Sequence, residues 1–257
     1  MRVAVASSSP SVDEREARLA TELEIPIVTL PLSSRPSELS DYDYVFAFRE
    51  QKLCLVSTAD AQAGDLCVDF LDAKLNYRAN SGMRGQNIAK AIGIKGDRRP
   101  KVLDGTAGLG KDAFLMASLG CEVSLLERSP WVHALLEDGL SRTESYGEEV
   151  ATILSRMRLA YGDLLDLATD SQQYDVVYLD PMFPERRKSA KVKKDMAALQ
   201  NLLGHQSDGE RLLEHAKQLA TRRVVVKRAK LSPHLGEAAP DILFKGSSSR
   251  YDVYLLS

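Results

Sequence analysis

The chain is short of cysteine, of histidine and of any excess charge, and each shortage excludes something. Its three cysteines, Cys54, Cys67 and Cys121, lie far apart in apolar surroundings. With no Cys-x-x-Cys pair and no Cys/His cluster at ligand spacing, they are expected to be buried, reduced thiols. The four histidines, His133, His205, His215 and His234, are equally scattered, so no metal site is expected. No apolar run is long enough to span a membrane, and Met1-Arg2-Val3-Ala4-Val5 lacks the apolar core of a signal peptide. A cytoplasmic, soluble protein is therefore expected. The net charge of −2 offers no global attraction for nucleic acid, so any such binding must come from a local patch.

What is present is an ordinary globular composition over 257 residues, enough for a small domain plus a medium one. Residues 1–60 read as short β runs around one helix and predict a small mixed α/β N-terminal domain. Within it Arg2–Ala6 reads as a strand, and Ser11–Leu23 as a helix with Ser11 and Glu14 spaced as a capping box. Tyr44–Phe48 and Lys52–Val56 flank a polar turn and read as a hairpin. Residues 61–99 form a linker with a helix over Gln86–Ile92 that contributes to the site. From residue 100 to 257, β-rich runs at 102–104, 122–127, 157–161, 175–180 and 223–227 alternate with helical stretches. A closing pair follows at 242–244 and 251–256. Seven strands in this rhythm predict a Rossmann-like, mainly parallel sheet.

The first strand of that region runs into Asp104-Gly105-Thr106-Ala107-Gly108-Leu109-Gly110-Lys111-Asp112. Glycines in a strand-to-helix turn let the backbone approach a ligand closely. The spacing is Gly-x-x-Gly-x-Gly, unlike the Gly-x-Gly-x-x-Gly that cradles a pyrophosphate, and this argues against an NAD-dependent dehydrogenase. Glu127 ends the next strand, about 20 residues on, where a carboxylate can hold both hydroxyls of a ribose. A ribose without a pyrophosphate points to S-adenosyl-L-methionine (SAM). Asp163, after the third strand, can accept from an adenine amino group, Lys111 and Asp112 open the helix near the methionine end or the ribose, and Arg128 stands beside Glu127.

Asp180-Pro181-Met182-Phe183-Pro184 ends the apolar run Tyr174–Leu179, at the carboxyl edge where open α/β sheets bind ligands. An exocyclic amine on a base is a poor nucleophile because its lone pair is delocalised. Two acceptors, the Asp180 carboxylate and the Pro181 carbonyl, favour a pyramidal nitrogen aimed at a methyl donor, and Phe183 can stack on the base. This chemistry suits adenine and guanine alike. Attack at carbon 5 of a pyrimidine needs a cysteine nucleophile, usually in a Pro-Cys context that this chain lacks.

Behind the motif comes a run in which six of the ten residues 185–194 are basic: Arg186, Arg187, Lys188, Lys191, Lys193 and Lys194. Lys227 and Arg228 follow the fifth strand, and Arg78 and Arg84 lie in the linker. Basic groups at one edge of the sheet fit the phosphates of a nucleic-acid strand.

Val102–Phe114, Leu126-Glu127-Arg128, Val177–Pro184, Val192-Lys193-Lys194, Val224–Arg228 and Asn76-Tyr77-Arg78 together resemble the bacterial ribosomal RNA small-subunit methyltransferase J family, which makes N2-methylguanine in 16S rRNA. The resemblance covers most of the chain. It implies a class I SAM-dependent fold and a guanine target near the 3′ end of the small-subunit rRNA. It implies 16S rRNA or the small ribosomal subunit as the partner, and no membrane or metal is expected. It also implies SAM contacts at Lys111-Asp112, Glu127-Arg128, Asp163-Leu164 and Asp180. Lys111 and Gly105 stand where relatives carry Arg and Ala. Two rival readings are an N6-adenine nucleic-acid methyltransferase and a non-catalytic SAM-fold ribosome-assembly factor.

Overall fold

The structure is a computed structural model, and it describes residues 2–30, 36–59, 64–71, 82–170, 173–181, 208–236 and 239–256. The described chain forms two compact units. Phe183, Arg78, Arg186, Arg187, Lys188, Lys191, Lys193 and Lys194 lie outside the described residues.

The first unit comprises Met1–Asp69, Pro130–Ser141 and Pro184–Gly204. Its sheet has the order β2-β1-β3-β4-β5, with β1 Val3–Ser7, β2 Ile27–Thr29, β3 Tyr44–Arg49, β4 Lys52–Ser57 and β5 Leu66–Cys67. Every residue of β1 is buried, as a central strand requires. Helix α1 spans Glu14–Glu22 and is capped by Asp13, not Ser11. The Asp13 side chain accepts from Arg15 N while Glu16 Oε2 accepts from Asp13 N, so the capping box sits two residues beyond the expected pair. The β3–β4 hairpin turns on Glu50 and Gln51, both with positive φ, which matches the twist of the strands. Cys54 and Cys67 face each other across β4 and β5 and are joined as a disulfide. That overturns the expectation of reduced thiols for this pair, because register brings together two cysteines that are distant in sequence. Cys121, in the second unit, is free and buried.

The second unit comprises Phe70–Ser129, Arg142–Phe183 and His205–Ser257. Its sheet has the order β11-β12-β10-β9-β6-β7-β8. The strands are β6 Val102–Asp104, β7 Val123–Glu127, β8 Met157–Tyr161, β9 Tyr174–Leu179, β10 Ala220–Ala229, β11 Ile242–Lys245 and β12 Ser249–Leu255. All neighbours pair in parallel except β12, which runs antiparallel to β10 and β11. The helices of this unit are α2 Gly82–Ile92, α3 Lys111–Ser118, α5 Glu148–Leu154 and α6 Gly209–Leu219, while α4, Pro130–Ser141, belongs to the first unit. Leu103, Val177, Leu179, Val224 and Val226 pack with Leu212, Leu213, Ala216 and Leu219 of α6 into one core. Burial on both faces explains why these strands read as continuous apolar runs.

The chain moves outward from β6 through β7 to β8, then returns to place β9 on the other side of β6. The strand order therefore reverses between β6 and β9. A crevice at the carboxyl ends of those two strands follows from that reversal, and it is where open sheets take their ligands.

Candidate active site

Asp104, the last residue of β6, is 2% exposed, and its Oδ1 accepts the Thr106 amide at 3.2 Å. Burial, with the nearby Asp112 carboxylate, pushes its carboxyl well above the usual range. The loop beyond it depends on glycine. A Cβ on Gly105 would lie 3.0–3.1 Å from the Leu164 and Leu179 methyls, and Gly108 and Gly110 have φ of 53° and 70°. Gly110 is the N-cap of α3, and Lys111 is its exposed first residue.

Glu127, at the end of β7, is 4% exposed and divides its carboxylate between two backbone amides. Oε2 accepts from Gly108 and Oε1 from Ser129, each at 2.8 Å. Burial raises its carboxyl pKa against the pull of those bonds. Asp163 caps the short turn Leu164–Asp166 by accepting the Leu165 amide at 3.0 Å. Its Oδ2 also accepts from Arg128 Nη1 at 3.1 Å, and the same nitrogen donates to Asp208 at 2.8 Å. Arg128 thus ties the turn after β8 to the residue before α6. Leu164 is buried and packs beneath Gly105.

On the other side of the switch point, β9 and β10 pair with Leu179 beside Val226, so the next residues, Asp180 and Lys227, stand side by side. Lys227 Nζ donates to Asp180 Oδ2 at 2.8 Å and to Asp112 Oδ2 at 2.7 Å. Tyr178 donates its hydroxyl to the same Asp112 oxygen at 2.7 Å. The Asp180 amide donates to Thr106 Oγ1 at 2.7 Å, which fastens the end of β9 to the glycine loop. Among the described residues, Asp180 Oδ1 takes no hydrogen bond, and the side chain is 38% exposed. Burial works against the Lys227 charge, but Asp112 and Asp180 outweigh it and hold the ammonium far above its ordinary range. Burial pushes Asp180 upward, opposed by Lys227 and reinforced by Asp112. Pro181 is buried beside it.

These positions correct two sequence expectations. Lys227 is committed to two carboxylates inside the site rather than turned outward to phosphates. Arg228 is 7% exposed and donates from Nε to the Pro233 carbonyl at 3.0 Å. Arg84 lies on α2, with its side chain outside the described residues. Sequence reasoning missed Thr106 and Tyr178. Tyr178 carried a usable signal: it is a polar ring in an aliphatic strand, two residues before Asp180 and so on the same face.

The strand-end acids fit an adenosine. Carboxylates accept only, and the ribose hydroxyls and adenine amine donate. Among the described residues, a Cβ on Gly108 would meet nothing nearer than the Thr106 carbonyl, at 4.0 Å, so the loop leaves room at that position. Among the described residues no helix is long and apolar enough to cross a membrane, and no group of three or more His, Cys, Asp or Glu is arranged to hold a metal.

A seven-stranded sheet with this switch point, glycine loop and strand-end acids is that of a class I SAM-dependent methyltransferase. The profile of the family described as "Putative SAM-dependent methyltransferase" matches residues 35–256. The chain is 45% identical over 244 residues to ribosomal RNA small subunit methyltransferase J of Ectopseudomonas mendocina, covering 94% of this chain and 89% of that protein. It is 41% identical over 255 residues to the protein of the same name from Coxiella burnetii, covering 99% and 97%. A crystal structure of a SAM-dependent methyltransferase from Neisseria gonorrhoeae matches at TM-score 0.72 and 31% identity, over 98% of this chain and 95% of that one. The chain belongs to the ribosomal RNA small subunit methyltransferase J family.

Proposed function

We propose that this enzyme methylates the exocyclic N2 of one guanine in 16S rRNA, near its 3′ end. The observation that carries the reading is Asp180. It stands at the switch point, anchored through its amide and through Oδ2, and among the described residues Oδ1 takes no hydrogen bond. The relatives' printed name, ribosomal RNA small subunit methyltransferase J, supports rRNA as the substrate. Guanine and N2 come from the Asp180-Pro181-Met182-Phe183-Pro184 spelling and its family resemblance.

Glu127 receives the ribose hydroxyls and Asp163 the adenine amine. Asp104, Gly105, Gly108, Gly110, Lys111, Asp112, Arg128 and Leu164 complete the cradle. Bound SAM supplies an electrophilic methyl group on a sulfonium. The Asp180 carboxylate and the Pro181 carbonyl accept the two N2–H groups and turn the nitrogen lone pair outward, while Phe183 stacks on the base. As N2 gains a methyl group it must lose a proton, which passes along its hydrogen bond to Asp180 and on to water. The basic run from Arg186 to Lys194 holds flanking phosphates. An rRNA substrate puts the work in the cytoplasm.

The test is the chemical identity of the product. The protein is incubated with methyl-labelled SAM and either small subunits or naked 16S rRNA lacking the modification, and the RNA is digested to nucleosides. Label in N2-methylguanosine, saturating at one methyl group per RNA, supports the reading. Label in N6-methyladenosine, or none on either substrate, contradicts it.

A further inference from the structure

We propose that Lys227 is a positioning residue for Asp180: it grips Oδ2 and so presents Oδ1, as an ionised acceptor, to the amine of the target base. The inference deepens the proposed function and rests on its assignment of Asp180 as the amine acceptor.

Asp104 from β6, Asp112 from α3 and Asp180 after β9 converge at one end of the sheet, and Lys227 from β10 hydrogen-bonds Asp112 and Asp180. Tyr178 on β9 adds a hydroxyl to Asp112, Tyr251 on β12 lies with its ring 6.4 Å from that of Tyr178, and Arg228 exerts a weaker pull on Asp180 from the next position of β10. Without the ammonium, Asp112 and Asp180 would be two partly buried carboxylates facing each other, and one would take up a proton. Asp180 is the more exposed of the two, and among the described residues its Oδ1 takes no hydrogen bond. Protonated there, it would offer an O–H donor where an N–H group needs an acceptor, so the hydrogen-bond polarity of the site would be reversed.

Geometry adds a second reason. Lys227 is held by a β-ladder register, and Asp180 is fixed at its amide by Thr106. With Nζ on Oδ2, the carboxylate plane has little freedom to turn, so Oδ1 keeps one direction. Pre-setting an acceptor in this way lowers the cost of orienting the amine.

The experiment follows the Asp180 side-chain carboxyl by carbon-13 NMR across pH in the free protein, with D180N used to assign the signal. It compares wild type, K227M and K227R. The proposal expects the Asp180 titration to move upward by at least one pH unit in K227M and to stay near wild type in K227R. Single-turnover methyl transfer should fall at least tenfold in K227M at pH 7, recover as pH rises, and be largely restored in K227R. K227Q, uncharged but still a hydrogen-bond donor, carries the same readouts should K227M not fold. An Asp180 titration unchanged in folded K227M or K227Q overturns the proposal. The titration needs no substrate, so it is independent of the function assigned to Asp180. If the titration moves while an Asp180→Ala variant still transfers methyl groups, the functional reading fails and the Lys227–Asp180 coupling stands.

Discussion

Glu127 Oε2 accepts the Gly108 amide at 2.8 Å, so the acid ending β7 is built into the glycine loop that it faces. The group proposed to meet the ribose also holds the turn in shape, and the first prediction follows from that double duty. In E127Q the side-chain amide NH2 must face one of the two backbone N–H groups, leaving a buried donor unpaired at about 1–3 kcal/mol. Calorimetric titration with S-adenosylhomocysteine should show affinity weakened by about tenfold or more, at 1.4 kcal/mol per factor of ten. Unchanged affinity would remove Glu127 from the cofactor site.

Asp104 gives a pH prediction with a definite sign. Its folded pKa lies above the ordinary value of 3.8, because burial disfavours the carboxylate. The folded state therefore binds this proton more tightly than the unfolded chain. That stabilisation is complete below pH 3.8 and is lost as pH rises through the folded value. Asparagine keeps the Oδ1 acceptor for Thr106 without the charge. D104N should thus melt higher than wild type near pH 7, with the advantage shrinking on acidification. A variant that melts lower at pH 7 would contradict the account.

Gly105 predicts a steric cost. A methyl group there would meet Leu164 and Leu179 at 3.0–3.1 Å, and those side chains must move to admit it. Overpacking of this kind costs about 1–3 kcal/mol. Chemical denaturation of G105A should show that loss, and a midpoint equal to wild type would mean that the loop has more room than its contacts indicate.

Cys121 is buried, and burial pushes its thiol pKa up to about 11. At pH 8 the folded protein should leave it unmodified by a thiol reagent, with reaction appearing only on unfolding. Modification of the native protein within minutes would contradict its placement.

Much of the second unit was legible because its strands are buried on both faces, so apolar runs at 102–104, 175–180 and 223–227 announced themselves. Gly105, Gly108 and Glu127 were legible for a related reason: a strand-to-helix turn and a strand-end acid are local patterns. Helix α5 was not read, being only seven residues long. β5, at two residues, is too short to carry a period. The disulfide and the setting of Lys227 depend on register between strands far apart in sequence. Lys227-Arg228-Ala229-Lys230 looks like a basic surface cluster until the β9–β10 ladder sets Lys227 against Asp180. Asp13 displaced Ser11 as the helix cap because both sites carry a capping residue with an acid three positions on.

The central claim is that Asp180 activates the amine of the target base. Single-turnover methyl transfer to unmodified 16S rRNA, compared between wild type and an Asp180→Ala variant of matched fold, tests it most directly. The account predicts a rate lowered by about 10²–10³, the usual cost of removing a preorganised group at the reacting centre. A variant that transfers methyl groups at the wild-type rate would contradict it.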